Sequence, residues 1–223
     1  MTSRSPVSAE ALESLKGYSS GMIDDALLMA GVEGGILGIH AVRGFEDARI
    51  VAPASTVLFG APEPGARRLN MYRAIRDSAP GTVLVVDAQG HAGHFTGDNQ
   101  GECAKRQGLL GMVIYGGARD IAGYRRMGMP LWCTGSGTAD KPRGVGVVGH
   151  NVPIRIAGIQ VKPGDIIVAD EDGVVGIPQE LLGAVLENLK VMTEVEEGME
   201  KAIQRDAPVE ELEAIIAKKK PKA

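Results

Sequence analysis

The sequence predicts an α/β protein built on a mixed sheet, with a long C-terminal helix. Three observations predict it. Segments 82–87 (TVLVVD) and 109–115 (LLGMVIY) are apolar runs of the kind that form strands buried on both faces. A helix-forming stretch, 101–107, lies between them and makes a βαβ unit with a right-handed crossover. From Val152 onward, short β-branched runs alternate with tight turns, which is the pattern of antiparallel or mixed pairing.

Taken in order, 8–17 reads as a short amphipathic helix. Ser19 and Ser20 are good caps for a helix over 22–29, and Gly31 ends it. Glycine-rich segments bracket 36–42. Segment 49–59 (RIVAPASTVLF) mixes β-branched and small residues and reads as a strand with a bulge near Pro53. A helix over 66–77 follows, then a Pro80-Gly81 turn and the strand that ends in Asp87. Beyond 109–115 come a short helix to Met127 and a strand over 130–134. Segment 135–149 is glycine-rich and reads as irregular. Strands at 153–156, 159–161, 165–169 and 173–177 follow. Asp170-Glu171-Asp172-Gly173 is a hairpin turn, because it lacks the spacing of a calcium loop. Pro178 opens a helix to about residue 204. A last helix over 209–217 runs into KKKPKA, a basic tail that composition predicts to be solvated and disordered. The domain reading is one α/β domain over 1–205, with 206–223 as a C-terminal helix and tail.

The 223 residues carry a formal charge of −4, are 44% hydrophobic and are only 4% aromatic. That balance excludes a general nucleic-acid binder and a base-stacking platform. No apolar run is long enough to span a bilayer, and residues 1–15 lack the apolar core of a signal peptide. A cytoplasmic location is the resulting expectation. Cys103 and Cys133 form neither a disulfide framework nor a metal knuckle, and read as buried free thiols.

The chemistry concentrates between Gly97 and Asp120. Gly97-Asp98-Asn99-Gln100 is a glycine-led polar loop whose N–H groups suit an anion. The buried strand that follows ends in Gly116-Gly117-Ala118 and delivers Arg119 and Asp120 to its carboxyl end, where open α/β sheets bind ligands. A guanidinium there grips a carboxylate with two teeth, and a carboxylate there anchors a hard cation. His91 and His94, in GHAGHF, are candidates for lining the pocket or for a metal, or are simply loop polarity. No nucleophile elbow, Walker loop or dinucleotide fingerprint is present.

These residues resemble the RraA-like family, which includes 4-hydroxy-4-methyl-2-oxoglutarate and 4-carboxy-4-hydroxy-2-oxoadipate aldolases and the ribonuclease E activity regulators. The pieces that carry the likeness are SSGMIDDAL, RIVAPASTV, PGTVLVVD, GD followed by GMVIYGGARD, and VKPGDIIVADEDGVVGIP. The resemblance implies an αββα sandwich of the swivelling phosphohistidine-domain type that assembles as a homotrimer or homohexamer. It implies that Gly97, Asp98, Asn99, Gln100 and Arg119 hold a pyruvyl group, that Asp120 holds Mg2+ or Mn2+, and that Arg119 and Asp98 act in catalysis. The expected activity is metal-dependent cleavage of a 2-oxo acid to pyruvate, by retro-aldol reaction, decarboxylation of oxaloacetate, or both. No nucleic-acid or membrane partner is implied. The regulator branch, which binds ribonuclease E, often lacks the aspartate, so Asp120 leans toward the enzymes. The chain departs from the aldolase motif at Gly123, where the family carries an acid.

Leu182, Val185, Leu189, Met192, Met199 and Ile203 repeat as one apolar stripe, and Glu196 is the position that completes the series. A carboxylate on a buried stripe is costly unless paired or near a cation. The resemblance, which supports an acid from an adjacent subunit, makes Glu196 an expected second metal ligand from a neighbour.

Overall fold

A computed structural model describes residues 7–65 and 69–219. Two helices, α1 (Ala9–Leu15) and α2 (Ser20–Met29), open the chain, and each is capped by a serine. The Ser8 and Ser19 hydroxyls accept N–H bonds from the first turns, which have no partners within the helix. Two short strands follow, β1 (Gly35–Ile36) and β2 (His40–Ala41), and then the long strand β3 (Ile50–Gly60). The expected bulge is not at Pro53. Pro53 pairs in register with Ile166, just before the ladder to the next strand begins at Ala54. The irregularity falls instead at Leu58/Phe59.

The βαβ core is as expected, with shifted limits. It comprises α3 (Met71–Asp77), β4 (Val83–Asp87), β5 (His94–Thr96), α4 (Asp98–Gln107), β6 (Gly111–Ala118), α5 (Ile121–Met127) and β7 (Leu131–Ser136). The expected helix over 66–77 begins only at Met71, where Asn70 accepts the N–H of Arg73; positions 66–68 lie outside the described residues. Strands β3, β4, β6 and β7 are parallel neighbours, so their carboxyl ends share one edge of the sheet.

The second half completes the sheet. The stretch read as irregular contains a strand, β8 (Gly146–His150), which pairs antiparallel with the end of β3. A hairpin, β9 (Ile154–Ile156) and β10 (Ile159–Val161), packs against one face. Strands β11 (Ile166–Ala169) and β12 (Val174–Ile177) pair antiparallel, and β11 adds to β3. Asp170 turns between them. Its carboxylate is buried and takes the N–H and hydroxyl of Ser20 at 2.8 and 2.6 Å, which explains an acid in that turn without calcium. The result is a mixed sheet with α3, α4 and α5 over one apolar cluster and α1, α2 and the C-terminal helix over another.

That helix, α6 (Leu182–Gln204), follows a 3-10 turn at Gln179–Leu181. Its buried stripe departs from the expected one. It runs through Leu182, Val185, Leu189 and Met192 to Val195 and Ala202, whereas Ile203 is 58% exposed. Val195, one position before Glu196, takes the buried place because an apolar side chain gains by leaving water, whereas an ionised carboxylate without a partner loses on the order of several kcal/mol. Helix α7 (Val209–Ile216) folds back on α6 and ends in a turn, Ala217–Lys219. The last four residues of the basic tail, 220–223, lie outside the described residues.

Candidate active site

The glycine-led loop of the sequence is the first turn of a helix. Gly97 is the N-cap of α4, and Asp98, Asn99 and Gln100 are its first three residues. Local chemistry starts the helix here. The Gln100 side-chain carbonyl accepts the Gly97 N–H at 3.2 Å, and the Gly97 carbonyl accepts from Gln100 and Gly101. The N–H groups of Asp98 and Asn99 have no partner within the helix and are left for a bound anion.

Strand β6 brings Arg119 and Asp120 to the same place. The Arg119 N–H donates to Thr96 at 3.0 Å, which ties the end of β6 to β5 just before Gly97. Asp120 caps α5 in the left-handed region, with φ 59° and ψ 35°. Aspartate is one of the few residues that tolerate it, and such backbone is common at functional sites. The Arg119 Nε lies 3.2 Å from Asp120 Oδ2, with both side chains about half exposed. An ion pair that open to water contributes little to stability, which leaves both groups to a ligand.

Glycines let these parts meet. A Cβ on Gly97 would stand 2.7 Å from Asp120 Oδ2 and 3.5 Å from Arg119 Nε. A Cβ on Gly117 would stand 2.5 Å from the Ala92 carbonyl, and one on Gly93 would stand 2.5 Å from that of Asp140. The loop before β5 is thus pressed between β6 and the segment that follows β7. Tyr124, fully buried in α5, supports the floor. Its hydroxyl donates to the Gly97 carbonyl at 2.9 Å and lies 2.6 Å from the Thr96 hydroxyl. Burial holds this phenol well above its ordinary pKa, so it is neutral and acts as a fixed strut.

The cavity has a volume of about 350 Å3, within the range of small-molecule sites. It brings together all six expected residues from Gly97 to Asp120: Gly97, Asp98, Asn99, Gln100, Arg119 and Asp120. His94 also lines it. The His94 ring meets the Ala139 carbonyl at 2.7 Å through Nδ1 and faces Asp140 at 3.6 Å through Nε2. His91 does not line the cavity; its ring stacks on Phe95 instead. Sequence reasoning missed Tyr72, Asp140 and Lys141, which also line the cavity. The only signal for Lys141 was a charged pair, Asp140-Lys141, inside an otherwise glycine-rich stretch. Glu196 is not in this cavity. It is exposed on α6, and its carboxylate lies 3.0 Å from Lys219 Nζ, which also pairs with Asp25.

Among the described residues no three His, Cys, Asp or Glu side chains converge to hold a metal ion. Asp120 is a half-exposed carboxylate in an open cavity that Asp98 and Asp140 also line. That suits Mg2+ or Mn2+, which bind through one or two carboxylates and keep several waters or substrate oxygens; it does not suit a closed zinc site.

The sequence matches the RraA-like family (Aldolase/RraA) over residues 21–175. It is 35% identical over 160 residues to a protein of Halalkalibacterium halodurans that bears the provisional name 4-hydroxy-4-methyl-2-oxoglutarate aldolase, which covers 71% of this chain and 73% of that one. An uncharacterized protein from Pseudomonas syringae, 27% identical, shares the fold with a TM-score of 0.79 over 94% of this chain and 100% of its own. RraAS2 of Streptomyces coelicolor, described as an unusual member of the RNase ES inhibitor RraA protein family, is 28% identical. It has a TM-score of 0.77 and covers 87% of this chain and 98% of that one. The family match takes in α4, β6 and every expected site residue from Gly97 to Asp120. The chain belongs to the RraA-like family.

Proposed function

We propose that this protein is a divalent-metal-dependent carbon–carbon lyase that releases pyruvate from a 2-oxo acid. The reactions it fits are retro-aldol cleavage of a 4-hydroxy-4-methyl-2-oxoglutarate-type acid and decarboxylation of oxaloacetate. The observation that carries this reading is the meeting of three parts in one cavity: the first turn of α4, the Arg119 guanidinium and the Asp120 carboxylate.

The substrate carboxylate would sit on the Asp98 and Asn99 N–H groups and on Arg119, which offers a planar fork. Asp120 would hold the cation. When bound, that cation supplies Lewis-acid polarisation of the 2-oxo group. Cleavage of the next carbon–carbon bond would leave the enolate of pyruvate, and Arg119 would stabilise its charge. In the retro-aldol direction Asp98 would take the proton from the 4-hydroxyl, directly or through water. Lys141, which also lines the cavity, would meet a second carboxylate. Lys105 lies outside the cavity with its ammonium on the Met127 carbonyl, so it is not the lysine of a Schiff base. A homotrimer or homohexamer in the cytoplasm is part of the same reading.

The likeness to RraAS2 favours a second reading, a regulator that binds ribonuclease E or another protein. Ile203, Val209 and Ile216 on the C-terminal helices are apolar and at least half exposed, as a partner surface would be.

The deciding experiment is an assay of pyruvate release from a panel of 2-oxo acids, with Mg2+ or Mn2+ and with EDTA. Cleavage that stops with EDTA supports the lyase. Tight binding of ribonuclease E with no acid cleaved supports the regulator.

A further inference from the structure

Glycine 123 has no evident reason to be glycine. It lies inside α5 with helical backbone, not in the left-handed region, and it is buried. Glycine in a helix interior is destabilising relative to alanine, so something at this position offsets that loss. A Cβ built there would lie 2.4 Å from Asp98 Cβ, 2.5 Å from Asp98 Oδ2 and 2.8 Å from Asp98 Cγ. These are its three nearest neighbours, and all belong to Asp98. The Cβ contact decides the matter, because it does not change when the Asp98 side chain rotates. Any L-residue at 123 must therefore move the first turn of α4 away from α5. That turn is also tied to α5: the Tyr124 hydroxyl, one residue on, holds the Gly97 carbonyl.

Asp98 borders two cavities. One holds Arg119 and Asp120; the other, shallower, is lined by Glu102, Gly123, Arg126 and Met127. The Arg126 guanidinium stands 3.9 Å from Asp98 Oδ2 and is largely exposed, so it does not fix the carboxylate. Gly123 does, by leaving the space that Asp98 fills.

We propose that Gly123 is a positioning residue that sets where the Asp98 carboxylate stands between the substrate cavity and solvent. The importance for turnover rests on the lyase reading of Asp98; the placement itself does not. In this chain an acid at 123 and Asp98 in its present place exclude one another.

The test compares Gly123→Ala, Asp98→Asn and the double variant, with Mg2+ present. Gly123→Ala is expected to lower kcat by ~10-fold or more, within the range of a lost proton-transfer group, with the smaller part of the loss in KM. In the Asp98→Asn background the same Cβ contact still shifts the turn and raises KM, but no carboxylate remains to misplace, so kcat itself should fall less than about twofold. A purely structural role would give the same loss in both backgrounds, and that result overturns the proposal. Melting temperature gives a second reading. In an Asp98→Gly background the obstructing Cβ is gone, so Gly123→Ala should raise the melting temperature, whereas in the wild type it should not. If the wild type cleaves no acid of the panel, the lyase reading has failed on its own. The backbone amide resonances of residues 97–100 then decide the placement: shifted resonances in Gly123→Ala sustain it, and unchanged ones overturn it.

Discussion

Gly97 and Asp120 touch so closely that a methyl group on the first would come within 2.7 Å of Oδ2 of the second. Gly97 has φ −143°, an extended backbone that any residue adopts, so its glycine is required by proximity and not by conformation. Gly97→Ala should therefore fold normally and still lose activity. A displacement of about 1 Å at a reacting centre costs on the order of 100-fold, and we expect a loss of ~100-fold in kcat/KM. Steady-state kinetics with a circular dichroism spectrum checks it; a fully active Gly97→Ala enzyme would place the chemistry elsewhere.

Asp120 is the acid at the turn where β6 ends, and hard cations take carboxylate oxygen. Enzyme stripped with EDTA should be inactive, and Mg2+ or Mn2+ should restore it. Asp120→Ala should abolish turnover and weaken metal binding measured by calorimetry. Full turnover by metal-free wild type would remove the cation from the reading.

Arg119 stands beside Asp120, with Nε at 3.2 Å, and is half exposed. Lysine at this position keeps the charge and loses the planar fork. Arg119→Lys should leave the melting temperature unchanged and lower kcat/KM by roughly 100-fold, the scale of a lost transition-state donor. Near-wild-type kinetics would move Arg119 out of the site.

Lys141 offers a way to separate substrates. It lines the same cavity as Arg119, in a segment held to β5 by the His94 N–H on the Ala139 carbonyl. Lys141→Met should raise KM by ~10-fold for acids with a second carboxylate, the worth of one charged hydrogen bond. The KM of a 2-oxo acid without that group should not change. An equal effect on both would make Lys141 structural.

What was legible in the sequence follows from what each signal depends on. Buried strands announce themselves by composition, so β4 and β6 were found within a few residues. Gly97-to-Asp120 was legible because its parts sit at the ends of those strands. The start of α4 was not. Gly97 carries no capping side chain, and the backbone and Gln100 supply the bonds that begin α4, so a polar loop was the natural reading. Strand β8 escaped because glycines hide a strand whose order comes from pairing with β3. Lys141 and Tyr72 reach the cavity through tertiary contacts that no local pattern records. The Glu196 stripe failed by one residue, because the apolar spacing allowed either 195 or 196 and packing chose the valine.

The placement of Glu196 leads to the last prediction. Its carboxylate is exposed on α6, outside the cavity, and Lys219 neutralises it together with Asp25. Within one chain it has no route to Asp120. Only a second copy would bring it to a cation, and Lys219 would have to release it first. Lys219 is reached through the turn after α7, and its link to Glu196 is a 3.0 Å pair with one side half open to water, which is worth little and is easily exchanged. If subunits share the site, Glu196→Ala should lower metal affinity or activity by ~10- to 100-fold, as loss of a supporting ligand does. Mixing inactive Asp120→Ala subunits with Glu196→Ala subunits, unfolded and refolded together, should restore part of the activity, because some sites then combine an intact Asp120 with an intact neighbouring Glu196. Lys219→Ala should leave that complementation intact, since it removes only the partner that competes for the carboxylate. A Glu196→Ala oligomer with wild-type turnover would confine Glu196 to its pairing with Lys219 and leave Asp120 to hold its cation with substrate and water alone.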